Sequence, residues 1–170
     1  MDVRRSVVDP ILDADINVMG LLNLLQNAVT NRLKKIIFAS SGGAIYGEQN
    51  QFPADENHPT IPLSPYGITK LISERYLIFY QQFYGIHYVI LRYANVFGPR
   101  QNPHGEAGVI AIFTKKMFNM AQPVINGDGR QTRDYVYVGD IARINELALQ
   151  YEKNDIFNVG TGVETDVNKL

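Results

Sequence analysis

Two short apolar runs, 35–40 (KIIFAS) and 86–93 (IHYVILRY), each follow a long stretch with helical apolar spacing, and no other feature restricts the fold as much. Runs this short and this rich in β-branched residues read as strands buried on both faces. Before the first, residues 11–33 carry Ile16, Met19, Leu21 or Leu22, Leu25, Ala28 and Val29 at helical spacing. Before the second, 66–84 carries a stripe of Ile68, Ile72, Tyr76, Phe79 and Phe83 with Leu71 and Tyr80 beside it, and Gly85 falls where a left-handed cap ends a helix. The stretch 41–65 is rich in Gly, Pro and Asn, and Pro59, Pro62 and Pro65 argue against a continuous helix there. Strand, helix, strand in this order requires a crossover, so the two strands are predicted to be parallel.

The remainder reads as a loop at 95–105, a helix at 106–120, a strand at 123–126, a turn at 127–129 and a strand near 134–137. A helix at 139–152 and a strand at 155–159 follow, and Thr165 is placed to cap one more helix. The strands are too few for a complete doubly wound sheet, and both ends read as cuts. The expected fold class is therefore α/β, part of a Rossmann-like doubly wound parallel sheet with its first βαβ half missing.

Composition removes several functions. The 16 Lys+Arg against 17 Asp+Glu leave no overall basic footprint for nucleic acid. Cys is absent, and the three His (His58, His87, His104) lie far apart, so no metal site is expected. No apolar run is long enough to span a bilayer, and the first ten residues lack a secretory apolar region. A soluble, cytoplasmic protein that binds neither membrane nor nucleic acid is expected.

The strongest candidate for chemistry is SPYGITK (64–70). Tyr66 and Lys70 stand four residues apart at a helix start and share a face. A free tyrosine, pKa about 10, is a poor base at neutral pH, and a nearby ammonium favours its phenolate. The pair can thus move a proton, although taken alone the pattern is more often that of an exposed lysine one turn from a half-buried tyrosine. Ser40 and Ser41 end the 35–40 run, and ligands of parallel sheets meet the carboxyl ends of strands. Polar groups again follow a buried strand in LRYANVFGPR (91–100), with Tyr93, Asn95 and Arg100, and GDGRQTRDYVYV (127–138) offers Arg130 and Arg133 to an anion. Neither Gly127-x-Gly129 nor Gly160-x-Gly162 completes the phosphate-cradling G-x-G-x-x-G.

In sequence order, DVRRSVVDP (2–10), Asn17 with Gly20, SSGGAIYG (40–47), SPYGITK (64–70), LRYANVFGPRQ (91–101), GEAGVIAIF (105–113), GDGRQTRDYVYVGD (127–140) and FNVGTG (157–162) resemble the extended short-chain dehydrogenase/reductase family, and within it the UDP-glucose (UDP-galactose) 4-epimerases. The resemblance implies that Tyr66 is the catalytic base and acid at the sugar C4 hydroxyl while NAD takes the C4 hydride. Lys70 would bind the nicotinamide ribose and depress the tyrosine pKa. Ser41 would hydrogen-bond the C4 oxygen, although counting back from Tyr46-Gly47 would put Gly42 at that position. Asn17, Ser40 and Tyr93 would lie against the cofactor, and Asn95 and Arg133 against the UDP diphosphate. No carboxylate follows Ser41, where Gly42, Gly43 and Ala44 stand, which favours epimerisation over elimination.

By the same resemblance, 1–94 is the second half of the NAD-binding domain, and 95–170 interleaves substrate-domain segments with a returning strand and helix. The expected ligand is a UDP-sugar, and the expected partner is a second copy meeting helices 11–33 and 66–84. The isolated chain is expected to bind NAD weakly or not at all and to turn over little. A non-catalytic dimerisation unit, and an epimerase of UDP-uronates or UDP-N-acetylhexosamines, stand as alternatives.

Overall fold

The computed structural model describes residues 3–104 and 108–170. Residues 1–2, the second of which opens the first resembling segment, and 105–107 of GEAGVIAIF, with the start of the helix predicted at 106–120, lie outside them.

The chain opens with α1 (Val3–Val8) and a helical run made of α2 (Pro10–Ala14), one π-helical turn at Asp15–Met19 and α3 (Gly20–Thr30). Pro10 sits at the first helical position and Asp9 caps it by accepting from the Leu12 amide, so the start matches both helix-entry rules. The π turn is closed by the Gly20 amide donating to Asp15 O, five residues back. Then come β1 (Lys35–Ser41), the short α4 (Gly42–Ile45), α5 (Pro65–Tyr84), β2 (His87–Tyr93), β3 (Asn95–Phe97) and α6 (Val109–Phe118). The last elements are β4 (Thr132–Arg133), β5 (Tyr135–Tyr137), α7 (Val138–Gln150), β6 (Asp155–Val159) and β7 (Thr165–Asp166), with a 3₁₀ turn at Val167–Lys169.

The central sheet runs β1-β2-β6, parallel throughout, with Ser41 opposite Tyr93 and Tyr93 opposite Val159 at its carboxyl edge. Both faces are covered. On one, Leu21, Leu25 and Ala28 of α3 and Leu77 and Tyr80 of α5 pack on Ile90. On the other, Ile141 and Ala148 of α7 pack on Val89 and Leu91. That double burial explains the unbroken apolar run in β2. β3 and β5 form a separate parallel pair, and β4 and β7 an antiparallel one.

Several expectations fail locally. Residues 121–125 form no strand, and Asn95–Phe97 is a strand, not loop. Thr165 begins β7, and Asp166, not Thr165, caps the final turn by accepting from the Lys169 amide. The largest difference concerns α5. Its apolar stripe is turned outward, leaving Ile68, Ile72, Phe79 and Phe83 exposed, while Gly67, Thr69, Ser73, Glu74, Leu77 and Tyr80 face the interior. Ile16 and Met19 of the first helical run are likewise exposed.

The polar inner face of α5 has a partner. Ser40, Arg92 and Asn158 are register mates across the sheet. Arg92 Nη2 donates to Glu74 Oε2 at 2.7 Å and Arg92 Nε to Glu74 Oε1 at 3.0 Å, with both side chains almost fully buried. Ser40 Oγ donates to Glu74 Oε1 at 2.7 Å, and Arg92 Nη1 donates to Tyr46 Oη at 2.8 Å. Tyr46 Oη passes its own hydrogen to Asn158 Oδ1 at 2.6 Å. Burial opposes the Arg92 charge, but the hydrogen bonds from Arg92 to Glu74 and Tyr46, together with the Glu74 charge, outweigh it and hold the guanidinium more firmly protonated than usual. Removing one member of a buried pair strands the other. Arg92→Leu should therefore lower the unfolding free energy by about 3–5 kcal/mol, read from urea midpoints, and Glu74→Leu/Arg92→Leu together should recover part of that loss.

Candidate functional site

Tyr66 and Lys70 lie in the first turns of α5, where Ser64 caps the helix by accepting from the Gly67 amide and Pro65 sits at the helix start. Gly67 is what lets this turn seat. A Cβ there would lie 2.3 Å from Ala44 O and 2.8 Å from Pro62 Cβ, so only glycine admits the α4 backbone so close. A second hold comes from α1, where fully buried Ser6 accepts from the Tyr66 amide at 3.1 Å and donates to Val3 O at 2.7 Å.

The Lys70 Nζ lies 5.7 Å from the Tyr66 ring centroid and 4.9 Å from that of Phe38. It donates to Ala39 O at 3.1 Å, two residues before Ser41 on β1. Burial pushes the Lys70 pKa down, and the Asp13 charge partly restores it. Ser41 is half-buried at the strand exit and opens α4. Tyr93, its register mate, accepts from Asn145 Nδ2 at 2.7 Å; burial raises the Tyr93 pKa and that hydrogen bond opposes the rise.

The other predicted residues divide. Asn17 stands in the π turn and donates from Nδ2 to Asp13 Oδ1 at 3.0 Å. Ser40 is buried and spends its hydroxyl proton on Glu74 in the interior. Asn95 and Arg133 meet in a cavity of about 680 Å³. Arg4, Gln101, Lys116 and Tyr135 also line it. Ser41, Tyr66 and Lys70 do not line that cavity, but α1 joins the two places, Arg4 at the cavity and Ser6 on the Tyr66 backbone. Arg130 stays on the surface beside Asp128 at 3.8 Å. No group of three potential metal ligands exists among the described residues, and no described helix is long and apolar enough to cross a membrane.

Sequence reasoning missed Ser6, Asp13, Glu74 and Asn145. The signal for Asp13 is its place one turn before Asn17, and for Glu74 its place one turn after Lys70.

The depressed Lys70 pKa fixes a sign. Between its folded value and 10.5, the value of an unfolded lysine, the unfolded chain binds the extra proton, so this group makes stability rise with pH. Wild type should gain stability relative to Lys70→Met as the pH is raised from neutral toward that upper limit, in paired thermal melts.

The model of the "NAD dependent epimerase/dehydratase family" matches residues 1–160. The UDP-glucose 4-epimerase of Thermotoga maritima, solved with UDP-glucose, is 50% identical and matches 98% of this chain and 54% of its own with a TM-score of 0.96. A UDP-N-acetylglucosamine 4-epimerase of Methanobrevibacter ruminantium, in complex with UDP-N-acetylmuramic acid, is 40% identical over 99% of this chain and 54% of its own, TM-score 0.96. The UDP-glucose 4-epimerase of Thermus thermophilus, in complex with NAD, is 46% identical over 99% and 56%, TM-score 0.91. The chain thus spans about half the length of the relatives it matches, 55% for two curated ones. With its parallel sheet, its two covered faces and its Tyr66–Lys70 pair, the chain belongs to the NAD dependent epimerase/dehydratase family.

Proposed function

We propose that these residues carry the reacting site of an NAD-dependent 4-epimerase acting on a UDP-hexose, UDP-glucose or UDP-galactose, through a 4-keto sugar. The carrying observation is the Lys70 ammonium, which faces the Tyr66 ring while anchored to the strand that delivers Ser41. In this reading Tyr66, favoured as phenolate by Lys70, takes the proton of the C4 hydroxyl and returns it. Ser41 donates to the C4 oxygen. Asn95 and Arg133 hold the diphosphate, so binding energy comes from the UDP and the sugar is free to turn over.

The donor set suits NAD. An ammonium has three N–H donors; Ala39 takes one, and the others suit the ribose hydroxyls beside the nicotinamide. Lys70 and Tyr66, with Asn17 and Tyr93, would hold that end of the cofactor, and Ser40 would act only through the strand it fixes. When bound, NAD takes up and returns the C4 hydride. The phosphate-cradling G-x-G-x-x-G is absent from this sequence, which supports weak NAD binding by this chain alone.

A second reading changes the sugar. Lys116 and Arg133 place cations at the cavity. A UDP-uronate offers one more negative charge than a UDP-hexose. The exposed apolar residues Ile16, Met19, Ile68, Ile72, Phe79 and Phe83 suit a second copy packed on the first helical run and α5, which is also where a purely dimeric, non-catalytic role would act.

Three measurements check these readings. Tyr66→Phe should lower NAD-dependent turnover of UDP-galactose by about 10²–10⁴-fold, and turnover unaffected by it would end the assignment. Higher kcat/KM for UDP-galacturonate than for UDP-galactose would favour the uronate. Light scattering after size exclusion should give twice the mass of the 19.2 kDa chain, and Phe79→Glu should halve it.

A further inference from the structure

The side chain of Asp13 is fully buried, an expensive place for a carboxylate unless hydrogen bonds and charge compensate it. Both oxygens are engaged, Oδ1 by Asn17 Nδ2 at 3.0 Å and Oδ2 by Thr69 Oγ1 at 2.7 Å. Asn17 belongs to the π turn, a helix irregularity that recurs at functional sites, and Thr69 lies between Tyr66 and Lys70 on α5. We infer that Asp13 is a positioning residue for the site, its buried carboxylate tying Asn17 of the bulged helical run to the turn of α5 that carries Tyr66 and Lys70. The inference deepens the proposed epimerase site and rests on that reading for its catalytic meaning.

Asp13 also acts through charge. Lys70 lies beside the Tyr66 ring of its own helix and the neutral Phe38 ring and Ala39 carbonyl of β1, and it feels the charge of Asp13 from the first helical run. Burial drives the lysine toward its neutral form, and Asp13 is the carboxylate that opposes it. A neutral amine would do little to favour a phenolate at Tyr66. Asp13 thus joins the geometry of Asn17 to the charge of Lys70, without touching any reacting atom.

Asp13→Asn separates the charge from the shape. The amide oxygen can still accept from Asn17, and its NH₂ can donate to Thr69 Oγ1, which also lies 3.0 Å from Tyr66 O and can donate there. The titration of Lys70, followed by NMR of its ε-carbon and assigned with Lys70→Arg, should move downward in Asp13→Asn. An unmoved midpoint in the folded variant would overturn the inference. Wild type supplies a second readout that needs no variant to fold. The chemical shift of the Asp13 carboxyl carbon should respond as Lys70 loses its charge, and no response across that range would also overturn it. Neither readout needs turnover. An inactive chain with the expected shift upholds Asp13 and counts against the epimerase reading alone.

Discussion

One buried ion pair sets the rest of the structure in place. Glu74 of α5 grips Arg92 of β2 with two hydrogen bonds and takes a third from Ser40 of β1. Three elements far apart in sequence are thereby locked in register at one point. One turn earlier on the same helix, Lys70 comes down on the Ala39 carbonyl, beside the residue that Glu74 fixes. A buried pair gives less stability than its short distances suggest, because two charges must first be dehydrated. What it supplies here is geometric. Any slip of α5 along the sheet would leave Glu74 or Arg92 unpaired in the interior, so the helix carrying Tyr66 and Lys70 has one seat.

The same pair explains how much of this chain is legible in its sequence. The strands at 35–41 and 87–93 are readable because burial on both faces demands unbroken apolar residues, and the parallel order follows from the helix between them. The inner face of α5 is not readable from hydrophobic periodicity. The apolar stripe through Ile68, Ile72, Phe79 and Phe83 points outward, because the inward positions are taken by Thr69, Ser73 and Glu74, which meet polar partners. Periodicity finds the apolar face of a helix and cannot say whether that face meets the sheet or something else. Short strands such as Thr132–Arg133 and Thr165–Asp166 were hidden for another reason, since two residues carry no detectable alternation.

The site divides in the same way. Tyr66, Lys70 and Ser41 were visible because their chemistry and spacing point to a helix start and a strand exit. Ser40 and Ser41 look equivalent in sequence, yet alternation along β1 sends them to opposite faces, one into the Glu74 pair and one to the exit. Gly67 was visible only as part of a motif. Its reason is steric and three-dimensional, a contact with Ala44 that any side chain would close off. The supporting residues Ser6 and Asn145 come from elements distant in sequence, and only tertiary packing makes them neighbours of Tyr66 and Tyr93.

Burial therefore does two opposed things at Lys70. It reduces the water screening between the ammonium and Tyr66, which strengthens their interaction. It also penalises the ammonium itself and drives its pKa down. Burial alone would tend to strip the lysine of its charge. An acidic group that acts on the lysine through charge alone, and is itself held by neutral donors, offsets part of that penalty without competing for the Nζ hydrogens. Asp13 has that arrangement, since its two oxygens are taken up by an amide and a hydroxyl, while the Lys70 Nζ is spent on a backbone carbonyl. The lysine keeps donors to offer a ligand because the anion that stabilises it does so through space.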